Sequence, residues 1–356
     1  MDALEQRLNW RIPYFTDHLP GVGGIIRDAV EDFIVDEVPA YEPSGEGEHV
    51  YFRVEKWDLS TPQLIKQIAD KLGISTRAIS SAGLKDARAI ARQTLSVQGV
   101  SPSAVEALHL QNARVLWVTR HRNKLRTGHL RGNRFSIRIR DVEPDAQDRA
   151  AAIVDALSAR GVPNAYGSQR FGNHGDNHII GYYLLHGDKD GLASRNIRHL
   201  SHGMKQFLIS ALQSALFNQV VAARIRGGIL DTVIAGDVAR KEDTGGIFTV
   251  EDADVERPRA TAFQISPTGP IYGYKLMQAR EDAGALEAQV LADAGITLDD
   301  FRAVKAEGVR RPLRYNPGDV SCEMETPGCL SVSFFAPKGS FATALLRELM
   351  KVEAAG

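Results

Sequence analysis

The chain has 356 residues, of which 43% are hydrophobic, 24% charged and 7% aromatic; these proportions exclude wholesale disorder and suit two domains or one domain with a large insertion. Its 43 Lys and Arg nearly cancel 44 Asp and Glu, leaving a formal charge of −1, so no global field advertises a polyanionic partner and any nucleic-acid surface has to be local. Cys322 and Cys329, the only cysteines, match neither a zinc hairpin nor a secreted disulfide framework. The start MDALEQRLNWRIP carries no apolar run behind basic residues, and no uninterrupted apolar stretch reaches about 18 residues. The expectation is a cytoplasmic protein with no membrane partner.

Taken in chain order, Phe33 and Val35 alternate with Asp32 and Asp36, and Val50, Phe52 and Val54 with Tyr51, Arg53 and Glu55, which predicts two half-buried strands. The turn-rich PSGEGE, Pro43 to Glu48, predicts that they form a hairpin with a long loop. From Pro62 the period becomes helical through Leu64, Ile65, Ile68, Ala69 and Leu72, with Gly73 as the stop. Thr94 to Val97 reads as a short strand and Phe135, Ile137 and Ile139 as another. A helix opened by Pro144 and Asp145 and closed by Gly161 follows. Further on come a long helix over Lys205 to Arg226, a helix after Gly284, an alternating strand through Leu330, Val332 and Phe334, and a last helix with Ser340 as its cap. Strands and helices mix without a βα repeat, which predicts an α+β fold.

Four segments carry candidate chemistry. AGLKDARAIARQTLSV, Ala82 to Val97, sets Asp86 beside Lys85 in a linker between helix and strand, where an Asp either faces a cleft or forms a turn. The stretch Arg120 to Arg134 holds Arg120, Arg122, Lys124, Arg126, Arg131 and Arg134 and no acid; it is either a phosphate-binding run or a solvated cationic loop. At the end of this run, Asn133 and Phe135 lead into the alternating strand, and Phe135 belongs either to the core or to a base-stacking site. NAYGSQRFG sets Gln169, Arg170 and Phe171 between glycines, as an RNA pocket or a plain turn. GVGG at Gly21 to Gly24 lacks the lysine and hydroxyl of a phosphate loop, and His174 and His178 lack the Glu of a zinc-protease helix.

Read together and in order, VEDFIVDE (Val30 to Glu37), GEGEHV (Gly45 to Val50), AGLKDARAIARQ (Ala82 to Gln93), GNRF (Gly132 to Phe135), VPNAYGSQRFG (Val162 to Gly172), SALFNQVVAARI (Ser214 to Ile225) and GSFATALLREL (Gly339 to Leu349) resemble the tRNA pseudouridine synthase D family. The resemblance spans nearly the whole chain. It implies isomerisation of uridine 13 in tRNA without metal or cofactor, tRNA as the partner with no obligate protein partner, and a catalytic domain around a mixed sheet. By the same resemblance, residues 1–163 and 314–356 form that domain and 164–313 a family-specific α/β insertion closing an RNA cleft. The family's catalytic Asp falls on Asp86, its basic partner on Arg27, the ring stacking on uracil on Phe135 and the neighbouring Asn on Asn133; Lys85, Gln169, Arg170 and Phe171 accompany them as substrate contacts. Arg27 stands where the family commonly has Lys, Val30 where Pro often precedes EDF, and Tyr166 where Phe is common; the planar fork of Arg27 suits a two-bond grip on a carboxylate. Two rival classes are a noncatalytic RNA-binding protein, which has no need of Asp86, and a methyltransferase, which requires S-adenosylmethionine.

Overall fold

The computed structural model describes residues 3–352. Two compact units divide the chain: Gly21–Val154 with Pro317–Ser340, and Met1–Pro20 with Asp155–Asn316 and Phe341–Gly356. The boundaries read from the sequence, at 163/164 and 313/314, both fall inside the second of these.

The first unit is built on a nine-stranded sheet among the described residues. Its strands in chain order are β1 (Gly23–Ile26), β2 (Phe33–Pro39), β3 (His49–Trp57), β4 (Ile79–Ser81), β5 (Ile90–Gln98), β6 (Ala113–His121) and β7 (Leu130–Val142), followed by Gly318–Thr326 and Cys329–Pro337. Across the sheet the order is Gly318–Thr326, Cys329–Pro337, β7, β2, β5, β3, β6, with β1 on β7 and β4 on β5. β2 and β5 run parallel and the remaining pairs antiparallel, so the sheet is mixed.

That order overturns the predicted hairpin. β2 bonds β5 and β7, and β3 bonds β5 and β6, so β5 lies between the two strands that the turn signal joined. The glycine-rich connection instead docks on β6: the Gly45 amide donates to the Arg120 carbonyl at 3.0 Å, and the Ser44 amide to Nδ1 of His121 at 3.0 Å.

Alternation does what the sequence leads one to expect within each strand. Val50, Phe52 and Val54 of β3 point to one face with Leu95 and Val97 of β5, and the helix Thr61–Leu72 covers them with Leu64 and Ile68. Ser60 caps that helix by accepting from the Gln63 amide, and Gly73 at φ 66° ends it. On the opposite face charged residues pair instead: Arg53 with Asp36, Arg92 with Glu55 at 2.7 Å and Arg114 with Glu55 at 2.6 Å. Against the upward push of its burial, these two arginines hold the Glu55 carboxyl below its ordinary range. The GVGG run serves packing: a side chain at Gly24 would meet the Arg140 carbonyl at 2.5 Å, so glycine lets β1 lie against β7.

In the second unit the helix His202–Arg226, begun by the Ser201 cap, packs with Asn177–His186 and Glu281–Ala294. It is long and apolar enough to cross a membrane, yet 78% of its most apolar stretch is buried inside the fold. A four-stranded sheet ordered Ile247–Thr249, Val238–Lys241, Ile265–Ile271, Val309–Pro312 accompanies it. The helix Glu281–Ala294 starts before Gly284 rather than after it. The last helix, Ala342–Met350, begins at Phe341 without a side-chain cap; the Ser340 hydroxyl, predicted to cap it, donates to the Pro337 carbonyl.

Candidate active site

The residues around Asp86 are positioned by one face of the large sheet. Register places Lys56, Ala91, Val35, Phe135 and Phe334 in one row across β3, β5, β2, β7 and Cys329–Pro337. In the next row Glu37 faces Asn133, and Asn133 faces Ala336. The loop between β4 and β5 that carries Asp86 is fastened over these rows at three points. The fully buried Lys56 donates from Nζ to the Asp86 carbonyl at 2.6 Å and to the Leu59 carbonyl at 2.5 Å. Lys85 pairs with Glu37 at 2.7 Å, with side chains 4% and 1% exposed, and its amide donates to Thr61 Oγ1 at 3.0 Å. Glu37 in turn accepts from the Thr94 amide at 3.0 Å.

Backbone anchoring leaves the Asp86 side chain 39% exposed, with one Oδ atom 2.9 Å from Nη2 of Arg27. Arg27 follows β1 with φ 62°, the left-handed region that an arginine occupies only when its surroundings hold it there. Its guanidinium lies 4.3 Å from the centroid of Phe33, and its Nε is buried without a hydrogen-bond partner. The grip on Asp86 is therefore a single bond. This corrects the two-bond geometry that the arginine fork suggested: Nη2 alone bonds the carboxylate, while the guanidinium lies over Phe33 and its Nε has no partner.

Phe33 meets Phe135 edge-on at 6.0 Å, and Phe135 stacks on Phe334 at 5.2 Å with 23° between the rings. Phe135 is 7% exposed. Asn133, two residues away on the same face, has a buried Oδ1 with no partner, an acceptor left open. The arrangement offers a carboxylate beside a fixed cation, an aromatic wall and an unfilled hydrogen-bonding position.

All six basic residues of the run Arg120 to Arg134 are exposed. Arg120 donates to the Gly47 carbonyl at 3.0 Å, Arg122 pairs with Glu46, and Arg134 with Asp319 at 2.9 Å. Lys124 and Arg126 line an open cavity. The run does not wander from the site: buried Leu125 packs with Tyr51, Ala82 and Leu130, and the Gly128 amide donates to the Ala82 carbonyl at 2.7 Å, four residues before Asp86.

Gln169, Arg170 and Phe171 lie in the second unit. Gln169 is exposed. Arg170 donates to Ser214 Oγ at 3.0 Å and Ser210 Oγ at 2.7 Å and faces the rings of Tyr166 and Phe207, and burial pulls its pKa down. Phe171 is fully buried, stacked on Trp10 at 4.4 Å and edge-on to His178 at 5.3 Å. These three residues are not among those gathered around Asp86.

Sequence reasoning missed Lys56 and Glu37. A signal for both was present. Lys56 continues the buried phase of Val50, Phe52 and Val54, and Glu37 continues that of Phe33 and Val35, so each is a charge at an inward strand position.

The chain matches the family model for tRNA pseudouridine synthase D (TruD) over residues 9–195 and 189–349. It belongs to that family. A tRNA pseudouridine synthase D of Thermus thermophilus is 47% identical, over 97% of this chain and 93% of its own length. That of Syntrophotalea carbinolica is 40% identical, over 96% and 99% respectively. A solved chain from Methanosarcina mazei, assigned to tRNA pseudouridine synthase D, superposes with a TM-score of 0.77 at 26% identity, covering 99% of each chain.

Proposed function

We propose that this chain isomerises uridine 13 of tRNA to pseudouridine, with Asp86 as the nucleophile. Family membership makes it a pseudouridine synthase, an isomerase; the position in the tRNA and the roles of individual residues are our reading. In the reaction the N1–C1′ bond breaks, the freed uracil turns, C5–C1′ forms, the C5 proton leaves and N1 gains one. Nothing is oxidised and no co-reactant is consumed. Attack at the sugar, attack at the ring and elimination to a glycal all draw on one ionised carboxylate.

The observation that carries the proposal is the Arg27–Asp86 pair: a half-exposed carboxylate 2.9 Å from a cation that is itself held against Phe33. A fixed cation beside the carboxylate sets its orientation. Phe135 supplies the face against which the detached uracil is held, and Asn133 Oδ1 accepts from a uracil N–H. Lys85 acts through Glu37 by holding the loop. To reach Asp86 the uridine must leave its stack, and Arg120, Arg122, Lys124, Arg126 and Arg131 hold the phosphates around it. Further tRNA contacts fall to Gln169 and Arg170 in the second unit, while Phe171 serves that unit's core.

Cofactor-free protein incubated with a tRNA transcript tests the proposal. Carbodiimide-dependent primer extension is expected to stop one nucleotide 3′ of position 13 and at no other uridine. A stop at another uridine overturns the position. Tight tRNA binding with no stop, or product that appears only with added S-adenosylmethionine, overturns the reaction.

A further inference from the structure

Beside the loop of Asp86 the first unit holds an open cavity of about 530 Å³, within the size range of small-molecule sites, with Tyr41, Glu42, His121, Lys124, Arg126 and His129 in its lining. One wall is aromatic. The Tyr41 ring stacks on His121 at 5.1 Å and 22°, meets His129 edge-on at 5.6 Å, and keeps 36% of its surface exposed. Its hydroxyl lies 2.7 Å from His129 Nδ1 and 3.2 Å from the Tyr51 hydroxyl, so the ring is held in place. His121 accepts the Ser44 amide at Nδ1, and burial, then His49 and Arg122, lower its pKa. It is therefore a neutral ring at neutral pH. The other wall is cationic, where Lys124 and Arg126 outweigh the single carboxylate of Glu42.

A flat aromatic platform beside two cations is what an unstacked nucleotide requires, the base on the ring and the phosphate on the cations. The cavity and the loop of Asp86 share an anchor, because the Gly128 amide bonds the Ala82 carbonyl at 2.7 Å and the Leu125 amide bonds Ser96 Oγ at 3.2 Å. We propose that the cavity seats a second nucleotide of the bound RNA, one flanking the uridine isomerised at Asp86, with its base on Tyr41 and its phosphate at Lys124 and Arg126. The proposal rests on the reading of Asp86 as the reactive group and adds a selective contact that the chemistry itself does not need.

The test couples protein and RNA changes. Single-turnover rate constants at subsaturating protein are measured for the full chain and Tyr41→Leu on tRNA transcripts carrying one abasic site at each position flanking the target. At one position the abasic site is expected to slow wild type about 10-fold, Tyr41→Leu to slow intact tRNA about 10-fold, and the combination to slow no further. Multiplying effects at every flanking position overturn the proposal. Lys124→Ala, a change at an exposed residue, is read in the same way against a neutral methylphosphonate at that nucleotide, and decides the matter if Tyr41→Leu does not fold. If wild type makes no pseudouridine, the reading of Asp86 fails separately, and the same couplings in tRNA affinity still judge the cavity.

Discussion

Lys56→Met separates what holds the molecule together from what aims the proposed nucleophile, Asp86. The ammonium of Lys56 is 0% exposed; burial pushes its pKa down to about 8, with Asp86 opposing that shift and Lys85 adding to it. Keeping the charge at neutral pH thus costs about 3 kcal/mol. Methionine removes this cost but leaves the Asp86 and Leu59 carbonyls without their donor, at about 1–3 kcal/mol each. The balance runs from a gain of about 1 to a loss of about 3 kcal/mol, the latter at most about 12 °C in Tm for a unit of this size. Catalysis has no such compensation, because a misplacement of about 1 Å at a reacting group costs about 100-fold. Single-turnover conversion of tRNA should fall by that order while filter-binding affinity stays within about 2-fold. Stability adds a check on the sign. Between pH 8 and 10.5 the unfolded chain holds a proton that the folded chain has released, so wild type should gain stability relative to Lys56→Met as pH rises through that window. A variant that melts far below wild type, or one that turns over at the wild-type rate, refutes the argument.

Three further outcomes are expected. Phe135→Leu keeps the volume beside Phe334 but loses the flat face, so the chemical step should slow roughly 5- to 150-fold while stability changes by less than about 1.5 kcal/mol; calorimetry with single-turnover kinetics checks both, and a large stability loss with normal rate makes the ring a core residue only. Lys124→Ala with Arg126→Ala should weaken tRNA binding and flatten the slope of log affinity against log salt by about 1.5; an unchanged slope assigns the run to a solvated loop. Burial, against the opposing pull of Asp176 and Glu5, leaves His178 with a pKa of about 4, below its ordinary 6.5, so the unfolded chain takes up a proton first and stability should fall by about 3 kcal/mol as pH drops from 6.5 to 4; acid melts of His178→Gln should show a correspondingly shallower fall.

The sequence made the strands legible wherever one face is buried, since burial writes itself as alternation in Val50, Phe52 and Val54 and again in Phe135, Ile137 and Ile139. It did not make their neighbours legible. Nothing in residues 40–48 records that β5 comes to lie between β2 and β3, because strand order is set by long-range pairing. Ser340 misled for a local reason: a serine before a helix also bonds backward, here to Pro337. Ordered motifs brought Asp86, Arg27, Phe135 and Asn133 forward as a group, and all four sit in the unit built on the large sheet. Their supports, Lys56 and Glu37, stayed hidden because a charge in an inward strand phase reads as noise until its partner is known. The flanking glycines of Phe171 could not distinguish a stacking ring from a core ring; Trp10, which covers it, is far away in sequence.

The most direct measurement is single-turnover pseudouridine formation by Asp86→Asn beside wild type on one tRNA transcript, with binding measured on the same preparations. The substitution keeps the shape and takes away the anion proposed as the nucleophile. The account predicts that conversion disappears while tRNA affinity is retained within about 3-fold, since roughly 0.6 kcal/mol is all that the lost carboxylate should alter in binding. Appreciable turnover by the asparagine variant contradicts the assignment of Asp86.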